Sequence, residues 1–422
     1  MDEGVARTGE RDVTGPSPSR GEIGVIGLVP DRWGGIWMPR HHILTRLSRH
    51  FPVVWCDLPR EWRPWADRYT APVIDMTIPD LPGFQVYRPG RLLPHLYRPA
   101  FAARWTAARR LARARSLLAR RGVRRFIQYL WRPEFAEYLD RGPYDLSCYH
   151  VDDDYAFSVQ EQPLDPLEVR LLGRVDQVFI HSPALFARKG GINPHTEMVP
   201  NGVDYQAFAT PTPEPPDLAG IPHPRVGYVG VLKEQVDWDL MEALARQRPE
   251  WSLVFVGPSR LAGQDAACWA RLLQLPNVHA LGPKAGASIP GYLQHLDVCL
   301  LSYRVDAYTK FIYPLKLHEY LAAGRPVVGA CLPSLEPFRG TITLASGVAE
   351  WESGIAAAIA GAGDLAAQAA RRQVAAAHDW GVLVDRVAAT LRRRLDEVAR
   401  YARSKASDAS MKNFGAQFGK QQ

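Results

Sequence analysis

Lys316 and Glu319 stand three positions apart in the stretch PLKLHEYLAAGRPVV, Pro314 to Val328. Proline suits the first turn of a helix, Gly324 suits its end, and Pro326-Val327-Val328 opens a short apolar strand. The two charged residues therefore share one helix face close to the N-terminus. Partial positive charge and free N–H groups gather at that end, and a lysine beside them completes a phosphate site. A carboxylate does not favour phosphate. It can accept two hydrogen bonds from a vicinal diol such as a ribose, and phosphate plus ribose is a nucleotide. The alternative is an i,i+3 ion pair on a solvated helix, worth only tenths of a kcal/mol. Spacing alone favours that alternative.

A second charged cluster is YHVDDDYAF, Tyr149 to Phe157, at the end of an apolar run. One reading lines a cleft with it: Asp153 or Asp154 contacts an acceptor and His150 sits by the reacting centre. Helix capping or turn chemistry by aspartates competes on equal terms. Arg40 and His41 are second-rank candidates, and His42 and His181 read as structural. The stretch from Arg98 to Arg125 holds ten arginines and no acid. Its helical pattern sets Phe101, Trp105, Ala108 and Ala112 along one side. A surface helix that packs this aromatic side on the core and a helix that meets an anionic membrane surface are equally weighted. Nucleic acid is disfavoured, because no recognisable binding module accompanies the charge.

These residues need a scaffold. The chain has 422 residues, 46% hydrophobic and 23% charged, with a net charge of +7. That length points to two domains, and the charge points to anionic partners. No apolar run is long enough to cross a bilayer. Residues 1–20 lack the apolar core of a secretory signal and read as disordered, as does 405–422. Five scattered cysteines with no CxxC spacing read as reduced thiols of a cytoplasmic protein, not as a zinc site.

Apolar runs at 23–29, 52–58, 125–130, 145–151 and 176–182 alternate with helical segments. The alternation predicts a parallel sheet covered on both faces. Ala209 to Pro224 holds six prolines without periodicity and reads as a linker and hinge. The pattern then restarts, with strands at 225–231, 251–257, 277–282, 297–303 and 325–330. The expected domains are 21–208 and 225–380, joined by 209–224, with a helix at 381–404 packed across both. Ligands of such sheets bind at the carboxyl ends of the strands, so two facing halves place the site in the cleft between them.

PLKLHEYLAAGRPVV resembles the nucleotide-binding signature of GT-B glycosyltransferases of the family 4 type, the bacterial group 1 enzymes. YVGVLKEQVDWDLMEALARQRPEWSLVFVGP, LPNVHALGPKAGASIPGYLQHLDVCLLSY, VPNGVDYQAF and WMPRHHILTRLSRHFPVVWCDLP resemble further segments of that family. The resemblance implies an α/β fold of two Rossmann-like parallel-sheet domains facing a central cleft. It implies that Glu319 binds the nucleotide ribose. Lys316, Lys233 and the loop after Gly230 meet the donor diphosphate, Gly282 and Lys284 lie near the base, and Gly34 and Gly35 approach the phosphate from the other domain. One position departs: many retaining members carry a second glutamate eight residues before the first, and here that residue is Phe311. Lys310, Tyr313 and the loop from Ser302 to Phe311 are the local substitutes.

The expected activity is transfer of a sugar from a UDP- or GDP-sugar co-substrate to a hydroxyl acceptor, a sugar, a small molecule or a lipid-linked group. Helix N-termini and lysines would carry the leaving charge without a metal, and D-x-D metal sites belong to a different transferase fold. Retention follows from resemblance alone; an inverting enzyme would use His150 or Asp153 as base. A nucleotide-sugar 2-epimerase of the same fold and a non-catalytic nucleotide-sugar-binding protein are the alternatives. An oxidoreductase is disfavoured, since no G-x-G-x-x-G follows the first strand. The expected location is the cytoplasm, peripheral to the inner membrane face.

Overall fold

The computed structural model describes residues 22–34, 36–59, 81–90, 92–94, 96, 98–155 and 162–418. Expectations for residues 1–20, Gly35 and Phe157 fall outside them. The first domain holds seven parallel strands: β1 Ile23–Leu28, β2 Val53–Cys56, β3 Phe84–Tyr87, β4 Arg125–Leu130, β5 Leu146–Val151, β6 Gln177–Ile180 and β7 Thr196–Met198. Their order is β3-β2-β1-β4-β5-β6-β7. Strands β1, β5 and β6 are buried at every position, as strands covered on both faces must be. The second domain holds β8 Arg225–Val229, β9 Ser252–Val256, β10 Val278–Gly282, β11 Val298–Leu301, β12 Val327–Ala330 and β13 Thr343–Ala345, in the order β10-β9-β8-β11-β12-β13. Every strand pairing in both sheets is parallel. Three short strands escaped the sequence reading. β3, β7 and β13 lie at sheet edges, where partial exposure removes the continuous apolar run that betrays an inner strand.

The proline-rich segment is not a free hinge. It forms a short helix, Pro216–Ala219, and is fastened to the second domain. Thr212 N–H and hydroxyl donate to Gln294 Oε1 at 2.8 and 2.9 Å, Glu214 pairs with Arg225, and Asp217 pairs with Lys284 at 2.6 Å. The chain changes domains elsewhere, at two strands of backbone that lie side by side. Val203 N–H donates to His378 C=O at 3.0 Å, and Trp380 N–H donates to Val203 C=O at 2.9 Å.

From that crossing the last helix, Trp380–Phe418, returns to the first domain. Trp380, Leu383, Val384, Val387, Leu391 and Leu395 are buried there against β1, β2 and β4 residues. Its i, i+3, i+4 apolar spacing explains the docking. The helix does not end near Lys405 as expected but runs through Phe418.

Between β1 and β2 lies α1, Pro39–Leu47, and between β3 and β4 lies α2, Ala100–Ala119. The inward side of α2 is not the aromatic one. Ala107, Leu111, Ala114 and Leu118, spaced by four, three and four residues, are all buried. Phe101 is 75% and Trp105 54% exposed. Small residues let α2 lie close on the sheet, and the large rings are turned outward.

Candidate active site between the two sheets

Of the residues expected to meet a nucleotide, Gly230 and Lys316 come together at the carboxyl end of β8. Gly230 follows this strand with φ of 142°, a conformation suited to glycine. A Cβ there would overlap the Lys316 side chain, with Nζ only 2.8 Å away. Gly257, after β9, has the same φ and lies directly against the Gly230 carbonyl. Gly230 therefore clears the space into which Lys316 extends, and Gly257 clears the space for the Gly230 carbonyl. Lys316 comes from the first turn of the helix Leu315–Ala322, whose N-terminal N–H groups are capped by no side chain among the described residues. Its ammonium lies 5.1 Å from the Tyr228 ring centroid and 3.5 Å from the Tyr303 hydroxyl. Burial pulls its pKa down; the Tyr228 and Tyr303 oxygens and Glu319 outweigh that, so the ammonium keeps its proton.

Glu319 sits one turn further along the same helix, half-buried. Burial pushes its pKa up, and Lys316 offsets part of the rise. Among the described residues, Glu319 and Lys316 do not form an ion pair, and no side chain donates to the Glu319 carboxylate. The surface ion pair that spacing alone favours is absent among them. A half-buried carboxylate left open is ready for a donor from outside the chain. Lys233 is half-buried after the Gly230 loop. Its carbonyl accepts from Trp238 Nε1 at 3.1 Å, and its ammonium has no carboxylate partner among the described residues. Gly282 ends β10 with φ of 69° and open space around it. Lys284 is committed to Asp217, with its ammonium 5.4 Å from the Tyr292 ring centroid. Gly34, in the loop after β1, has φ of 101° and nothing within 4 Å of a Cβ.

The aspartates after β5 part company. Asp152 accepts from Arg40 Nη1 and the Tyr155 hydroxyl, both at 2.7 Å. Asp154 is buried, 3.5 Å from Arg188 and 3.4 Å from Lys189, and Lys189 is itself fully buried on Glu168 at 2.9 Å. Those two carboxylates anchor the loop. Asp153 alone faces the other domain: Tyr308 donates to it at 3.3 Å across the cleft. Burial pushes the Asp153 pKa up to about 6. His150 lies in the core rather than on the cleft wall, at 1% exposure. Its Nδ1 meets the Tyr129 hydroxyl at 2.9 Å and its ring stacks on Trp131 at 4.3 Å between centroids. Burial holds it well below the usual histidine range, so it stays neutral. The expectation that His150 sits by a reacting centre overlooked strand parity: neighbours on β5 point to opposite faces, and both faces are covered.

Phe311 stands where the resemblance leads one to expect a second glutamate. It belongs by sequence to the second domain but is buried among side chains of the first, including Leu130, Tyr149, Ile180 and Leu185. Arg188 lies over its ring at 5.1 Å. In the sequence Tyr308 is one residue of the Ser302–Phe311 loop, with no local signal that singles it out. Tyr308 and Phe311 together carry that loop across the cleft.

Two facing parallel-sheet domains with the site at their strand ends make this the GT-B fold. Residues 223–360, most of the second domain, match the family model described as glycosyl transferases group 1. The putative teichuronic acid biosynthesis glycosyltransferase TuaH of Bacillus subtilis (strain 168) is 30% identical over 228 residues, 51% of this chain and 56% of that protein. The match thus spans little more than half the length of that curated relative. Sucrose-phosphate synthase from Thermosynechococcus elongatus has a TM-score of 0.62 at 17% identity, covering 88% of this chain and 98% of that one. Anabaena HepE, solved in complex with UDP and glucose, has a TM-score of 0.59 at 17% identity, covering 88% and 99%.

Proposed function

We propose that this protein transfers a sugar from a nucleoside-diphosphate sugar to a hydroxyl acceptor in polysaccharide or glycolipid assembly. The meeting of Gly230, Lys316 and Glu319 carries the reading. It puts a retained positive charge, uncapped helix N–H groups and an open carboxylate along one helix, matching a diphosphate followed by a ribose. The Anabaena relative's UDP and the teichuronic acid role in the Bacillus relative's name support the donor class and the kind of product.

In this reading the ribose hydroxyls donate to Glu319, and the diphosphate takes the N–H groups of the helix Leu315–Ala322 with Lys316 and Lys233. As the bond from the sugar carbon to phosphate oxygen breaks, negative charge grows on that oxygen. Lys316, already charged and fixed by packing, stabilises it without rearrangement. In this reading Lys316 and the helix N–H groups carry the leaving charge without a divalent metal. A retaining enzyme lets the departing phosphate oxygen take the acceptor proton on the same face. If transfer inverts, Asp153 is the base, since it faces the cleft and His150 does not. The acceptor enters from the first domain, and a lipid-linked acceptor suits the basic helix α2. A non-catalytic nucleotide-sugar-binding protein is the second reading, favoured by Phe311 standing where a carboxylate would contact donor sugar.

Calorimetry with UDP, GDP and their sugars is the test, followed by detection of released nucleoside diphosphate with and without acceptor. Glu319→Gln removes a charge-assisted bond worth about 1.5–3 kcal/mol, so affinity should fall by about ten- to a hundredfold. Unchanged nucleotide affinity would sink the ribose role. Tight binding without turnover would favour the second reading.

A further inference from the structure

Helix α2 presents a face that no described residue covers. Taking one residue per 100°, Phe101, Trp105, Arg109 and Ala112 fall on the side opposite the buried Ala107-Leu111-Ala114-Leu118 stripe. Leu92, just before the helix, is 91% exposed. Arg109 stacks over the Trp105 ring at 5.3 Å. Beside this face, between β3 and α2, runs a cavity of about 780 Å³ lined by Arg88, Trp105, Arg109, Arg113 and Leu117 among others, with no acid among the described residues of its wall. Arg88 pairs with Asp57 at 3.1 Å. Arg109 and Arg113 are exposed and have no carboxylate partner among the described residues.

Arg110 is different: it turns inward, donates to the Pro94 carbonyl at 2.8 Å, and ties the 92–94 loop to the helix. The loop carrying Leu92 is thus held against the helix, and its Leu93 shares the cavity wall with Trp105. In a parallel sheet each connecting helix runs back from the carboxyl ends of the strands. The N-terminal half of α2 therefore lies at the end of the sheet where the cleft opens.

We propose that this face docks on an anionic lipid surface, with the headgroup phosphates taken by Arg109 and Arg113 at the cavity and with Leu92, Phe101 and Trp105 entering the headgroup layer. Charge complementarity commits it to lipid: unpaired arginines interleave with large apolar side chains, the composition of a helix that lies in a membrane interface. Soluble phosphate would use the arginines but leave the apolar rings without a role. Docking would set the cleft mouth beside the bilayer. The proposal does not depend on the transferase reading, because no nucleotide-site residue takes part.

Flotation of the full chain with vesicles of phosphatidylcholine alone, and with about a third phosphatidylglycerol, tests it at low and high salt. The protein should float with the anionic vesicles only. Each arginine at such a surface is worth about a fivefold change in partitioning, so Arg109→Gln with Arg113→Gln should lower it by about twenty-five-fold. Phe101→Ser with Trp105→Ser should keep binding at low salt and lose the fraction that survives high salt. All four side chains are exposed, and unchanged circular dichroism and an unchanged thermal unfolding midpoint certify the fold of each variant. Glu319→Gln should float like the parent. No flotation with anionic vesicles at low salt, an unaffected arginine variant, displacement by millimolar inorganic phosphate, or equal binding to duplex DNA would each overturn the proposal.

Discussion

Lys316 can extend along its helix towards the β8 terminus because Gly230 has no side chain. Gly230→Ala places a methyl group in the lysine's path and demands a φ that alanine rarely adopts. We expect nucleotide affinity to fall at least about tenfold, measured by calorimetry, with thermal unfolding lowered as well. At Asp153 the effect is one of pH. Its carboxyl titrates near 6 because burial penalises the charge. A base role requires the ionised form, so activity should fall about tenfold per unit below that pH, and Asp153→Asn should be slow and lack this limb. If the pH profile of Asp153→Asn keeps the limb, another group owns it. Stability runs the opposite way: a carboxyl whose folded-state pKa is raised costs stability once ionised, and acidification through about pH 6 relieves that cost. Unfolding midpoints of the two proteins should converge at low pH.

At the scale of elements, the turn Thr309–Phe311 is a latch. A residue of the second domain completes a cluster of the first, and Tyr308 adds a hydrogen bond beside it. Phe311→Ala should loosen the two domains while leaving both sheets intact. Small-angle scattering should show a larger radius of gyration without nucleotide. An unchanged particle would mean that other contacts hold the domains. The terminal helix works in a different way, since its buried stripe is part of the first domain's core. Leu391, fully buried, should cost about 2–5 kcal/mol when replaced by alanine, read from denaturant unfolding.

Across the whole molecule, the paired backbone at Val203 and His378–Trp380 is where rotation between domains can occur. Gly202 lies in that crossing, and a Cβ on it would come within 2.7 Å of the His378 carbonyl and 2.9 Å of both Leu383 and Trp380. Gly202→Val should therefore stiffen or distort the crossing. We expect scattering curves of the parent protein to change when a nucleotide sugar saturates it, and those of Gly202→Val to change less. The proline-rich segment should contribute little, because its hydrogen bonds keep it on the second domain. Shortening its exposed stretch should leave the ligand-dependent change in place.

Much of this architecture was legible because inner parallel strands are apolar at every position and helices between them are periodic. β1, β5, β8 and β11 could be read from composition, and the Lys316 and Glu319 helix from its proline and glycine ends. Edge strands β3 and β7 could not, since half-exposure leaves no continuous run. Local pattern also could not say which face of α2 turns inward. Size decided it: the close approach of helix to sheet admits alanine and leucine and sends Phe101 and Trp105 outward. His150 and the three aspartates adjoin in sequence, yet strand parity and long-range ion pairs gave them separate fates, burying His150, committing Asp152 and Asp154 to anchoring and leaving Asp153 at the cleft. Phe311 is the sharpest case. Its chain position assigns it to the second domain, and only the folded molecule, by offering it an apolar pocket in the first, made it a contact between the two.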